Sequence, residues 1–311
     1  MKIIPWLLLT ILAVPARATE APPEISAARI LAHTKILASD EFEGRAPASA
    51  GEEKTVNYLI SELKKIGLPM IGITSQAAAN FTVGGTTITP VIINDYIALS
   101  RQQQPTIEVK DSPVVFVGYG VVAPEFGWDD FKDVDVRGKT VLILINDPPV
   151  REPATDQLDQ KVFGGKAMTY YGRWTYKYEI ASARGAAACL IIHETGPAGY
   201  PFAVVGGSWG RENFDLASPD QNTQRVAVEG WLTLEASKKL LAVAGQDFAA
   251  LKAAASRRDF RPVAIAAHAN FTINNTTRQV ASKNVVALLP GTDPLRQNEY
   301  IIYSAHWDAF G

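Results

Sequence analysis

The sequence predicts an α/β fold in which a partial sheet is interrupted by a β-rich unit, and three observations carry that expectation. Val56, Leu59, Ile60 and Leu63 recur at i, i+3, i+4 and i+7, the period of an amphipathic helix. From about Pro105 short β-branched runs (SPVVFVGYGVV, GKTVLILIND, ACLIIHE, FAVVGG) follow one another between Gly, Pro and Asp, as strands do. Two last runs, SKNVVALLPG and NEYIIYSAH, are apolar on both faces, which suits strands buried inside an α/β sheet.

The first element is a leader. Lys2 precedes the apolar run IPWLLLTILAV, and Ala16-Arg17-Ala18 forms an A-x-A cleavage site, so residues 1–18 read as a secretory signal peptide. The run is short of the roughly 20 residues that a membrane span needs. Its removal takes the formal charge from -2 to -4 and leaves no second stretch long enough to span. The expectation is a periplasmic or secreted protein with no stable membrane anchor after cleavage. A weakly acidic chain of 311 residues also lacks the basic footprint of a nucleic-acid binder. Its length suggests roughly two domains.

Residues 25–104 read as a helical part. Ser26 can cap a helix over Ala27 to Ala38, with Ile30, Leu31, Thr34, Leu37 and Ala38 on one face. The second helix ends at Gly67 with Pro69 beyond. Glu52 and Glu53 in its first turn and Lys64 and Lys65 in its last complement the helix dipole, which explains the Glu-Glu pair without chemistry. The intervening ASDEFEGRAPASAG reads as an exposed loop.

Residues 105–279 form the β-rich unit. One helix over about Arg173 to Arg184 interrupts it, and LEASKKLLAVAG, capped by Thr233, forms another before polar strand-like sequence to about Gln279. Residues 280–311 hold the last two strands, joined by a turn with Gly291, Asp293 and Pro294. The single Cys189 excludes an intramolecular disulfide, and its setting AAACLIIH marks a core thiol. Sequons at Asn80, Asn270, Asn274 and Asn275 matter only in a glycosylating host.

Chemistry concentrates in the final stretch, YSAHWDAFG. If Tyr300 to His306 is a strand, Ile302, Ser304, His306 and, on an extended course, Asp308 share one face. That end of a strand is where open α/β sheets bind ligands. Imidazole ligates zinc, and a nearby carboxylate can orient the ring or tune bound water.

YIIYSAHWDAFG resembles the first metal-binding motif of the co-catalytic two-zinc aminopeptidases, metallopeptidase family M-28. LASDEFEGRAPASAGEEKTVNYLISELKKIGL is similar to the N-terminal helices of its exported bacterial members. GYGVVAPEFGWDDFKDVDVRGKTVLILINDPP, with RWTYKYEIASARGAAACLIIHE, is similar to the protease-associated domain that some of them insert before the catalytic sheet. The resemblance implies a partial peptidase sheet of phosphorylase/hydrolase-like type, an inserted β-rich protease-associated domain, and removal of N-terminal residues from peptide substrates with two zinc ions. It implies His306 as a ligand of one zinc and Asp308 as the catalytic carboxylate that orients it. The family's remaining ligands lie beyond this first motif, so the chain reads as C-terminally truncated, with at most weak zinc binding and little or no activity.

Two other readings compete. Gly206-Gly207-Ser208-Trp209-Gly210 matches the G-x-S-x-G nucleophile elbow, with FAVV as its strand, Asp215, Asp220 or Asp247 as the acid and His268 or His306 as the base of a serine hydrolase. The segment after it is short, polar and ended by Pro219, which favours a glycine-rich loop. The other is a non-catalytic pseudo-enzyme or peptide-binding module. Aromatic residues of MTYYGRWTYKY (Met168 to Tyr178) could face a ligand there, although filling the core is the simpler use.

Overall fold

The computed structural model describes residues 27–45, 50–62, 66–152, 154–284, 293–296, 299, 302 and 304. Contacts divide the chain into two units: residues 1–67 with 283–311, and residues 68–282. The first contains α1 (Ala27–Leu37) and α2 (Ala50–Glu62), both foreseen, with a 3-10 helix over Asp40–Arg45 between them. That connection was expected to be an exposed loop. It is instead pinned, because Phe42 is an apolar residue that buries itself edge-on against Tyr58, and Lys54 Nζ donates to the Glu41 carbonyl at 2.8 Å. The proposed Ser26 cap and Lys64 and Lys65 lie outside the described residues.

Next come β1 (Ile66–Val83), β2 (Thr86–Ile88) and β3 (Tyr96–Leu99). The sequence reading had placed these residues with the helices. Along β1, Ala79, Phe81 and Val83 are buried while their neighbours turn outward, the period-2 pattern of a half-buried strand. Gly84 and Gly85, both at positive φ, close the hairpin to β2 and permit the tight turn that strand twist favours.

The chain continues through β4 (Thr106–Phe116), β5 (Val122–Ala123), β6 (Trp128–Asp129), β7 (Thr140–Leu144), α3 (Trp174–Ala183) and β8 (Ala188–His193). Then follow α4 (Thr195–Ala198), α5 (Phe202–Trp209), β9 (Asn213–Leu216), β10 (Val228–Thr233), α6 (Leu234–Val243), α7 (Phe248–Ala255) and β11 (Val263–Asn284). The FAVVGG segment, expected as a strand, is helical in α5. Phe202, Val205, Gly206 and Trp209 fall at helical spacing, and burying Val205 and Trp209 outweighs the local β-branched preference.

The fold is mixed α/β. Among the described residues nine strands form one sheet in the order β2-β1-β11-β4-β7-β8-β10-β3, with β9 also on β1. Its centre, β4-β7-β8-β10, is parallel, whereas β3 and β11 pair antiparallel at its two sides. Every residue of β7 and β8 is buried, as expected for parallel strands covered on both faces. Phe116, Leu142, Leu190, Leu232, Leu241 and Leu251 pack on the face covered by α6 and α7. Val115, Ile143, Ile191, Tyr178, Trp209 and Trp231 pack on the face covered by α3 and α5. Tyr96 Oη, on the end strand β3, donates to the Ala77 carbonyl of β1 at 3.1 Å, so the sheet curls until its two ends meet.

Candidate functional site

His306 and Asp308, the metal ligand and catalytic carboxylate implied by the resemblance, lie outside the described residues. Among the described residues no group of three or more His, Cys, Asp and Glu side chains is placed to hold a metal ion. His193 and His268 lie apart on separate strands. His268, on β11, has its Nδ1 2.9 Å from Asp111 Oδ1. His193, at the end of β8, is enclosed by Tyr200, Phe202 and Trp231, and burial lowers its pKa.

The elbow around Ser208 does not form. A nucleophile elbow needs a strand leading into a sharp turn, and Ser208 instead sits inside α5, its Oγ donating to the Val204 carbonyl at 2.9 Å. The three aspartates considered beside it are engaged elsewhere. Asp215 pairs with Arg225 at 3.2 Å, Asp220 accepts from Ser218 Oγ and the Asn222 amide, and Asp247 caps α7 through the Ala250 amide at 2.7 Å.

The carboxyl edge of the parallel strands gathers a different constellation. Tyr119 follows β4, Asn146 and Asp147 follow β7, and Lys177 projects from α3 with its side chain wholly buried. Lys177 Nζ donates to the Tyr119 carbonyl at 2.7 Å and to the Asn146 carbonyl at 3.0 Å, tying two strand-end loops together. Burial brings its pKa down to about 8, against the pull of Asp147 and Asp130. Asp130 is likewise buried. Its Oδ2 accepts from the Val121 amide at 2.9 Å and its Oδ1 from Trp128 Nε1 at 2.7 Å, yet desolvation still raises its pKa to about 7. Asp147 takes both the amide and the hydroxyl of Thr169 at 2.7 Å, and burial raises it too. Each of these groups finds its hydrogen bonds in the strand-end loops around it, so their arrangement organises those loops rather than meeting a ligand. Of the MTYYGRWTYKY aromatics, Tyr176 and Tyr178 enter the core, while Tyr170 stays 54% exposed. Cys189 is fully buried, and burial raises its thiol pKa, in keeping with the core role read from its context.

An accessible feature lies elsewhere, where the curled sheet brings β1 and β2 towards β10 and α6. A cavity of about 150 Å³ opens there on an apolar floor of Phe81, Ile88, Leu232 and Leu240, with Asp95 and Lys239 among its lining residues. The loop before β3 forms part of its rim and exposes Val91, Ile92 and Ile93 in succession. Ile93 is held at φ 70°, unfavourable for a β-branched residue, by its amide bond to the Tyr96 carbonyl at 2.6 Å. The sequence offered no motif for this cavity, because its lining comes from segments far apart in the chain.

No model of a known protein family matches the chain. No curated protein matches it either.

Proposed function

We propose that this chain is part of an exported zinc-dependent aminopeptidase. Residues 68–282 would be an inserted accessory domain of protease-associated type, with His306 binding zinc and Asp308 orienting it. The observation that carries this reading is the division of the chain. One unit combines residues 1–67 with 283–311, and residues 68–282 form a second unit between them, as an inserted domain does. The motif resemblances at both ends and in the middle add to it. One imidazole is short of the three protein ligands that a catalytic zinc takes, so His306, even with Asp308 to orient it, does not make the centre alone.

The test uses the product of the complete reading frame. It should release p-nitroaniline from leucine p-nitroanilide, lose that activity to a chelator and recover it with zinc. His306→Ala should abolish turnover and lower the bound zinc. Chelator-insensitive hydrolysis, or full activity in the His306→Ala protein, would sink the proposal. A second reading, a non-catalytic binding module, draws on the exposed Val91 to Ile93 loop beside a ligand-sized cavity. An inactive full-frame product would favour it.

A further inference from the structure

We propose that the cavity between β1, β2, β10 and α6 binds a free apolar α-amino acid as its zwitterion. Size comes first. A cavity of about 150 Å³ is comparable to one that accepts a benzene ring, so the apolar floor of Phe81, Ile88, Leu232 and Leu240 has room for one side chain of leucine or phenylalanine size. Charge comes second. Asp95, Glu235 and Lys239 all line the opening, and because Glu235 is paired with Lys238, Asp95 and Lys239 are left as the counterparts for the two ends of a zwitterion. Asp95 Oδ2 accepts from the Val91 amide at 2.8 Å, while its Oδ1 has no partner among the described residues and is available to an ammonium. On α6, Lys238 is engaged by Glu235 at 3.0 Å, whereas Lys239 has no acidic partner among the described residues and is available to a carboxylate. Position comes third. The Asp95 amide donates to the Val91 carbonyl at 2.7 Å and the Ile93 amide to Tyr96, so the loop bearing Asp95 is held in a strained conformation. Strain of this kind persists where the surroundings enforce it and often marks a ligand clamp.

A hydrophobic amino acid is also what an aminopeptidase releases, so on the reading above this would be a product site. The inference itself needs only the cavity and holds whether or not the protein is a peptidase.

The experiment is calorimetric titration of the 311-residue protein with L-leucine, L-leucinamide, N-acetyl-L-leucine and glycine. L-leucine should bind saturably. Loss of either charge, or of the side chain, should weaken binding at least about tenfold, the factor that corresponds to 1.4 kcal/mol. Lys239→Met should weaken L-leucine by a similar factor and leave L-leucinamide unchanged. Ala236→Phe, which fills the cavity, should abolish binding while the circular dichroism spectrum stays native. The proposal falls if L-leucine shows no saturable heat, if L-leucinamide binds equally well, or if Lys239→Met has no effect. It also falls if an amidated tripeptide beginning with leucine binds as tightly as L-leucine, since the occupant is then a peptide terminus. None of these readouts involves hydrolysis, so failure here and failure of the zinc reading are separate results.

Discussion

Lys177 and Asp130 set opposite demands on pH. Asp130 has its pKa raised from 3.8 to about 7, so the folded state holds a proton that the unfolded chain gives up. Its stabilising contribution is complete below pH 3.8 and is lost as pH rises through 7. Lys177 is depressed from 10.5 to about 8, so its contribution is complete above pH 10.5 and is lost as pH falls through 8. Together they predict a stability minimum between about pH 7 and 8. Urea melts across pH should show it, with Asp130→Asn flattening the acidic arm and Lys177→Met the alkaline one. Lys177→Met should also cost about 2 kcal/mol near neutral pH, because the Tyr119 and Asn146 carbonyls lose their donor. At this scale the sequence was informative where context was local. The apolar neighbours of Cys189 announced its burial, and Thr233 does cap α6, accepting from the Ala236 amide at 3.2 Å. Nothing near Lys177 in sequence distinguishes it from a solvated lysine, since its partners come from loops far along the chain.

Among elements, β10 shows how little tolerance the centre of the sheet has. A Cβ at Gly230 would stand 2.7 Å from Leu190 Cδ2 and 3.1 Å from the Ile97 carbonyl oxygen, and the second of these is backbone that cannot turn aside. Gly230→Ala should therefore destabilise the protein by roughly 1–3 kcal/mol, measured as a lower urea midpoint with unchanged slope. Elements with a long, regular pattern were legible beforehand. The helix foreseen over about Arg173 to Arg184 is α3, and the runs GKTVLILIND and ACLIIHE contain β7 and β8. Two were not. In α5 a β-branched pair and two glycines masked a helical period that only burial of Val205 and Trp209 against the sheet makes decisive. In β1 the alternation was present, but its inward members include the small, partly buried Ala77 and buried Ala79, which weakens the contrast between its faces.

For the whole molecule, the unit over residues 68–282 has its own two-faced core and a sheet whose ends meet through Tyr96 and Ala77. Expressed alone, it should fold with a single cooperative urea transition and a native near-ultraviolet spectrum. Non-coincident transitions by fluorescence and far-ultraviolet dichroism would contradict that autonomy. The α/β class and the alternation of strands with helices before about residue 280 were accessible from periodicity, while the two strands expected over residues 281–306 lie largely outside the described residues. The curl of the sheet, and with it the cavity, was not, because it depends on strands distant in sequence becoming neighbours.

The split unit, with one part before residue 68 and the other after residue 282, has a consequence for synthesis. At roughly 5–20 residues per second, the ribosome spends about 10–40 s on the intervening segment before the second part exists. The middle is a unit in itself over residues 68–282, so it can reach its native state without the part that follows it.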